Sequence, residues 1–209
     1  QPRHEREHGG DQGGGGGAMS TPTGLTVPRR SPVLGNTAGD FVSAIGSGIN
    51  PTGSLSTCTI SAANRLYLVP RRVNGTERYD QIVVEATTGG ASGKCRAGCF
   101  ANVNGRPGAL LLDSGEIDIS ATEIDAVTID LTLADCWVWD FILFNNTAPV
   151  MRGLTSGYTS QLPRLTNNLT ALCGHLFAAH TFGAAPATCP SVSQGDSRFF
   201  LIQYRVAAT

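Results

Sequence analysis

The chain is poor in charge. Charged residues make up 15% of its 209 residues and the formal net charge is -1, so no basic field exists to hold a nucleic acid by neutralising phosphates. No nucleic-acid partner is expected. Long apolar runs are also missing: none approaches the roughly 20 residues needed to cross a bilayer, and the start lacks the charged-then-apolar layout of a signal peptide. A soluble chain without membrane insertion is expected, although its first residue, Gln1, leaves room for a removed initiator or leader. Segments with helical period between the strand-like runs are lacking too, which argues against a parallel sheet built on crossover helices.

Motifs for familiar chemistry are equally scarce. The run GGASGKCRAGC at 89–99 superficially resembles a phosphate loop, but Thr88 stands where its first glycine belongs and Cys95 follows Lys94 where Ser or Thr is needed to reach Mg²⁺. As zinc ligands, Cys95 and Cys99 would sit roughly 13 Å apart along one strand, too far to share an ion. The reading that remains is a glycine-rich hairpin, with Cys95, Ala97 and Cys99 as small residues filling one face of the strand that follows. There is no Gly-x-Ser-x-Gly elbow, and GSG at 46–48 reads as a turn.

Asp113, Glu116, Asp118, Glu123, Asp125 and Asp130 crowd one stretch without a calcium-loop pattern, and most alternate with apolar residues as solvent-facing strand positions do. His175 and His180 suit local hydrogen bonding or a contact around a symmetry axis. No catalytic, cofactor or metal site is expected.

Six cysteines are a low density for a disulfide-built domain and allow 15 pairings. They read either as buried reduced thiols or as bridged pairs, with Cys58 to a distant partner and Cys173 to Cys189 the pairs to test first. The sequons at Asn74, Asn145 and Asn168 matter only in a eukaryotic secretory pathway.

What the chain has in quantity is glycine (26 residues) and proline (11) set among Thr, Val, Ile and Leu, the composition of many strands joined by turns. Residues 1–24 form a glycine-rich arm too polar to order itself. The arm, with Gln1, Arg3, Arg6, Gly13 and Gly17 along it, is expected to be extended and to gain its order from a neighbouring protein. Residues 25–63 read as an extended lead-in with a short turn of helix near 38–45, and residues 64–209 as a β-sandwich domain.

Within that domain, period-2 alternation marks LYLVP (66–70), QIVVEATT (81–88) and CRAGCFANV (95–103) as strands. Asn104-Gly105 and Pro107-Gly108 then read as consecutive turns before a short strand at 109–112. VTIDLTL (127–133) places Val127, Ile129, Leu131 and Leu133 inward. CWVWDFILFN (136–145) is apolar on both faces, hence central and covered on both sides, with Asp140 out of character and Trp137 and Trp139 in the core. Residues 151–168 read as a polar excursion, 169–182 as strand in preference to helix, and RFFLIQYRV (198–206) as one closing strand. The sum is all-β: an antiparallel, jelly-roll-like sandwich. For sugar stacking, Tyr158 in the excursion and Tyr79 beside polar residues are the candidate glycan contacts.

The run from LYLVP through RYDQIVVEATTGGASGKCRAGCFANVNGRPGALLLDSGEID to LTLADCWVWDFILFNNTAPVMRG resembles a domain that recurs in tailed-bacteriophage virion proteins. The residues carrying the likeness are Tyr67 to Pro70, Arg78 to Ile82, Gly98 to Gly108 and Trp137 to Gly153, about ninety residues over 64–153, with Asn104-Gly105-Arg106-Pro107-Gly108 the most specific. The resemblance implies a sandwich used in a tail fibre, head fibre or capsid decoration protein, with other virion proteins and further copies of itself as partners and often a host-surface glycan as target. It carries over no catalytic residue and places the protein in the virion, assembled in the host cytoplasm. Cys99, where an aromatic is commoner, and Cys136, where Gly or a polar residue is usual, depart from the pattern and raise a Cys99 to Cys136 contact between adjacent strands. Two other readings compete: a secreted, extracellular carbohydrate-binding module of lectin type, and behind it a glycan hydrolase.

Overall fold

The computed structural model describes residues 38–43, 55–154, 175–196 and 198–208. In chain order the strands are β1 (Phe41–Ser43), β2 (Ser56–Thr59), β3 (Arg65–Arg72), β4 (Thr76–Thr88), β5 (Lys94–Val103), β6 (Arg106–Asp113) and β7 (Ile117–Asp118). Then come β8 (Glu123–Ala134), β9 (Trp137–Phe144), β10 (Val150–Leu154), β11 (Leu176–Ala179), β12 (Ser193–Gln194), β13 (Phe199–Phe200) and β14 (Gln203–Val206). Helix is absent among the described residues. Of the helical turn expected near 38–45, the described residues 38–43 hold the strand β1 instead, where Phe41 faces out and Val42 packs on the core opposite Tyr204, while residues 44 and 45 lie outside the described residues.

Eight strands pair as a nested ladder: β5 with β6, β4 with β8, β3 with β9, and β2 with β10, all antiparallel. Two further pairings, β10 with β4 and β9 with β5, roll the ladder into two sheets, β2-β10-β4-β8 and β3-β9-β5-β6. That order is a jelly roll. The innermost rung is closed by Asn104-Gly105, whose φ angles of 51° and 78° suit the tight hairpin turn that Asn-Gly favours. Pro107-Gly108, expected as a second turn, lies inside β6 instead.

The 89–93 run is not a hairpin. It carries the chain from β4 in the first sheet to β5 in the second, so its ends have different partners. Its glycines serve close approach: a Cβ on Gly89 would stand 2.2 Å from the Ser120 carbonyl oxygen, and one on Gly90 2.6 Å from the Pro149 ring. The Gly90 amide donates to Ile119, and the Ile119 amide to Gly93 at 2.9 Å.

The closing segment also differs from expectation, because it changes partner midway. β13 runs along β10 and β14 along β4, filling the gap where those two strands diverge. Between them the Leu201 amide donates to the Arg152 carbonyl at 2.9 Å. The alternation still holds, with Phe200, Ile202, Tyr204 and Val206 buried.

Apolar packing forms two layers. Between the sheets lie Ile82, Val84, Cys95, Ala97, Cys99, Val138, Ile142 and Phe144, joined by Cys58 and Ile60 from the lead-in. On the other side of the second sheet, Leu66, Leu68, Phe100, Trp139, Phe141 and Leu143 are covered by Phe182, Ala185, Cys189 and Val192. β9 is therefore buried on both faces, as its composition predicts, and each such apolar side chain contributes about 1.5–3 kcal/mol.

The covering segment acts as a strap. It leaves β11 at the β3 edge, crosses to β6, and returns at β12. At β6 the Leu110 amide donates to Ala187 and the Cys189 amide to Gly108, both at 2.9 Å. Both edges of the second sheet are thus occupied by backbone partners, which blunts edge-to-edge aggregation.

Candidate functional site

The most concentrated polar chemistry lies inside the sandwich. Arg71 on β3 and Asp140 on β9 both point inward and pair at 2.7 Å, each side chain 2% exposed. Tyr79 and Tyr204, from the opposite sheet, close over the guanidinium, whose carbon lies 4.2 Å from the Tyr204 ring centre. Arg71 Nη1 donates to Tyr79 Oη at 3.0 Å, Tyr79 donates to Glu77, and Tyr204 donates to the Gly98 carbonyl. Burial pushes the Asp140 carboxyl up against the pull of Arg71, while Asp140 holds the guanidinium well above its ordinary value despite its burial. Burial likewise raises both tyrosines. Sealed from solvent, this set ties β3 and β9 to the tyrosines of the facing sheet.

Tyr79 is therefore not a glycan contact. Its burial follows from a bulge in the β4–β8 pairing between Tyr79 and Gln81, which shifts the parity of the strand so that Tyr79 and Ile82 share the inner face. Simple alternation from Ile82 and Val84 would place residue 79 outside. The other candidate, Tyr158, lies outside the described residues, as do Cys173 and the arm residues Gln1, Arg3, Arg6, Gly13 and Gly17.

Trp137, expected in the core, is 43% exposed. It opens β9 one step past the outer-face residues that the strap covers, so Trp139 is buried and Trp137 is not. Cross-strand register builds a row around it. Arg72 lies opposite on β3, Asn102 on β5 follows the Ala101–Val138 pair, and Pro107 on β6 faces Asn102. Asn102 Oδ1 accepts from Trp139 Nε1 at 2.9 Å, fixing the amide on this face. Arg72 is held by Asp135 and the Val73 carbonyl. Next to Pro107 an open groove of about 460 Å³ runs between Arg106–Pro107 and the strap residues Cys189, Pro190, Ser191 and Val192. The Arg106 side chain has no ion pair or hydrogen-bond partner among the described residues.

Cys99, Cys136 and Cys189 are free thiols, as are Cys58 and Cys95, so no disulfide forms among the described cysteines. Cys99 is fully buried between the sheets and Cys136 packs against the same core, with no bond between them. The distant partners of Cys58 are the backbone carbonyls of Leu154 and Phe199.

Most of the crowded carboxylates make structural contacts: Asp113 with Arg96 at 2.8 Å, Glu116 with Lys94 at 2.6 Å and Asp130 with Arg78 at 3.0 Å. Asp118 accepts from the Ser120 amide. Among the described residues no three His, Cys, Asp or Glu side chains converge as metal ligands would. His175 contacts the Arg198 carbonyl through Nδ1 at 2.9 Å, and burial lowers its pKa, while His180 Nε2 contacts the Ala184 carbonyl. At the sequon Asn145, the side chain accepts from the Lys94 amide and donates to the Ser92 carbonyl, anchoring the glycine-rich crossing.

No protein-family model matches the chain, and neither does any curated protein.

Proposed function

We propose that the protein is a non-enzymatic structural component of a bacteriophage particle: a tail fibre, head fibre or capsid decoration subunit. In this reading residues 1–24 anchor the chain to other virion proteins, and the jelly roll is displayed outward for attachment to the host surface. The supporting observation is a coincidence of range. The stretch that resembles phage virion domains, 64–153, is the stretch from β3 to β10 that forms all but the outermost strand of the nested ladder, and jelly rolls of this order serve viral shells and lectins alike. Deleting residues 1–24 and measuring incorporation into particles tests the reading. Loss of incorporation with a folded β domain is expected, and a truncated chain that assembles normally defeats it.

Exposed Trp137 favours a second reading, a secreted lectin-like module. Such a module would bind sugar as a free chain and make no use of the arm, so the same deletion would leave its activity intact.

A further inference from the structure

The row Arg72–Trp137–Asn102–Pro107 and the adjoining groove have the composition of a sugar subsite. We infer that Trp137 and Asn102, on the outer face of the second sheet, and Arg106, in the adjoining groove beside β6, form a binding site for an acidic oligosaccharide. This deepens the attachment half of the reading above and rests on it.

A pyranose presents an apolar C–H face and a hydroxyl rim. The first needs a flat, exposed ring and the second needs fixed polar groups beside it. Trp137 offers the ring at 43% exposure. Its orientation is set by register between β3 and β5, and a rigid strand positions a contact better than a loop does. The Asn102 amide is already pinned through Oδ1 to the Trp139 indole, which leaves Nδ2 to donate outward.

Size excludes a single sugar as the whole ligand. Trp137 and Pro107 are two strands apart, roughly 10 Å at the usual spacing, and the groove continues past Pro107 to Ser191. A short oligosaccharide spans that distance.

Charge selects the acid. Arg72 is neutralised by Asp135 at 2.5 Å, whereas Arg106 lines the groove with its guanidinium uncommitted among the described residues. A guanidinium fork binds a carboxylate with paired hydrogen bonds that a neutral hydroxymethyl group cannot return.

The test uses the full chain and calorimetric titration with tetramers of β-1,4-mannuronate and galacturonate and with a sialylated trisaccharide, each beside its neutral counterpart. At least one acid is expected to bind about ten-fold or more tighter than its counterpart. Trp137→Ala should abolish that binding while Trp137→Phe, keeping a smaller stacking face, retains part of it. Arg106→Gln should bring acid and neutral sugar to similar affinity. The site is overturned if none of the acids binds, if Trp137→Ala leaves affinity unchanged, or if neutral sugars bind as well as acids. Because no particle enters the assay, its failure stands apart from a failure of arm-dependent incorporation, which is read on particles alone.

Discussion

Arg71 reaches Asp140 at 2.7 Å from a neighbouring strand, and the pair lies beneath two tyrosines of the facing sheet. Removing one partner strands a charge in a place no water reaches. Asp140→Ala should therefore lower stability by about 3–5 kcal/mol, while the double change Arg71→Met with Asp140→Leu should restore most of the loss. Urea unfolding of the three proteins measures both. A single variant that stays near the parent would show that the pair does not hold the sheets.

Gly89 tests the crossing between the sheets. An added methyl would stand 2.2 Å from the Ser120 carbonyl oxygen, which belongs to backbone and cannot rotate away. Gly89→Ala should cost about 1–3 kcal/mol, seen as a lower urea midpoint. An unchanged midpoint would mean that this connection has slack.

Acid should loosen the strap through Asp113. Burial favours its neutral form, but hydrogen bonds from Arg96, the Ala185 amide and the Gly115 amide outweigh it and hold the carboxyl below its ordinary range. A folded-state value below the unfolded one gives stability that is present above the unfolded pKa of about 3.9 and disappears as pH falls through the folded value. Asp113→Asn should lose about 1.5–3 kcal/mol at neutral pH and flatten the acid limb of a Tm-against-pH curve. Parallel acid limbs in the two proteins would rule out this role.

Thiol chemistry should be graded by depth. Burial pushes Cys189 up to about 11 from an ordinary 9.0, leaving a thiolate population on the order of a hundredth of a free thiol's near pH 8. Cys95 and Cys99 are pushed higher still. With Cys173 replaced by Ser, an aromatic disulfide reagent should modify Cys189 slowly and leave Cys95 and Cys99 untouched until denaturant is added. Rapid labelling of either in the native protein would contradict their burial.

Alternation was readable wherever a strand keeps one face in water or both in the core. β8 shows Val127, Ile129, Leu131 and Leu133 inward, and β9 shows its two apolar faces. Asn104-Gly105 announced the hairpin because its chemistry admits few alternatives. Three features stayed hidden for physical reasons. Glycines that turn a hairpin and glycines that let one loop lie against another look alike, so the crossing at 89–93 resembled a hairpin. A bulge inverts parity without changing composition, which concealed Tyr79. The exposure of Trp137 depends on where a strap from residues 180–192 ends, information that lies far from position 137 in the chain. Nor could alternation reveal that Asp140, plainly out of character on its strand, would meet Arg71.

The nested order of the ladder also governs how the molecule can form. Its innermost rung joins residues adjacent in sequence, and each rung outward joins segments separated by all the chain already folded within, up to β2 against β10. If each closure follows the one inside it, the loop left to close stays short at every step, and folding is expected to run as a zipper from Asn104-Gly105, with φ-values highest in that hairpin. A lesion at that turn should then slow the first step, whereas a lesion in the outermost rung should fray an assembled sandwich.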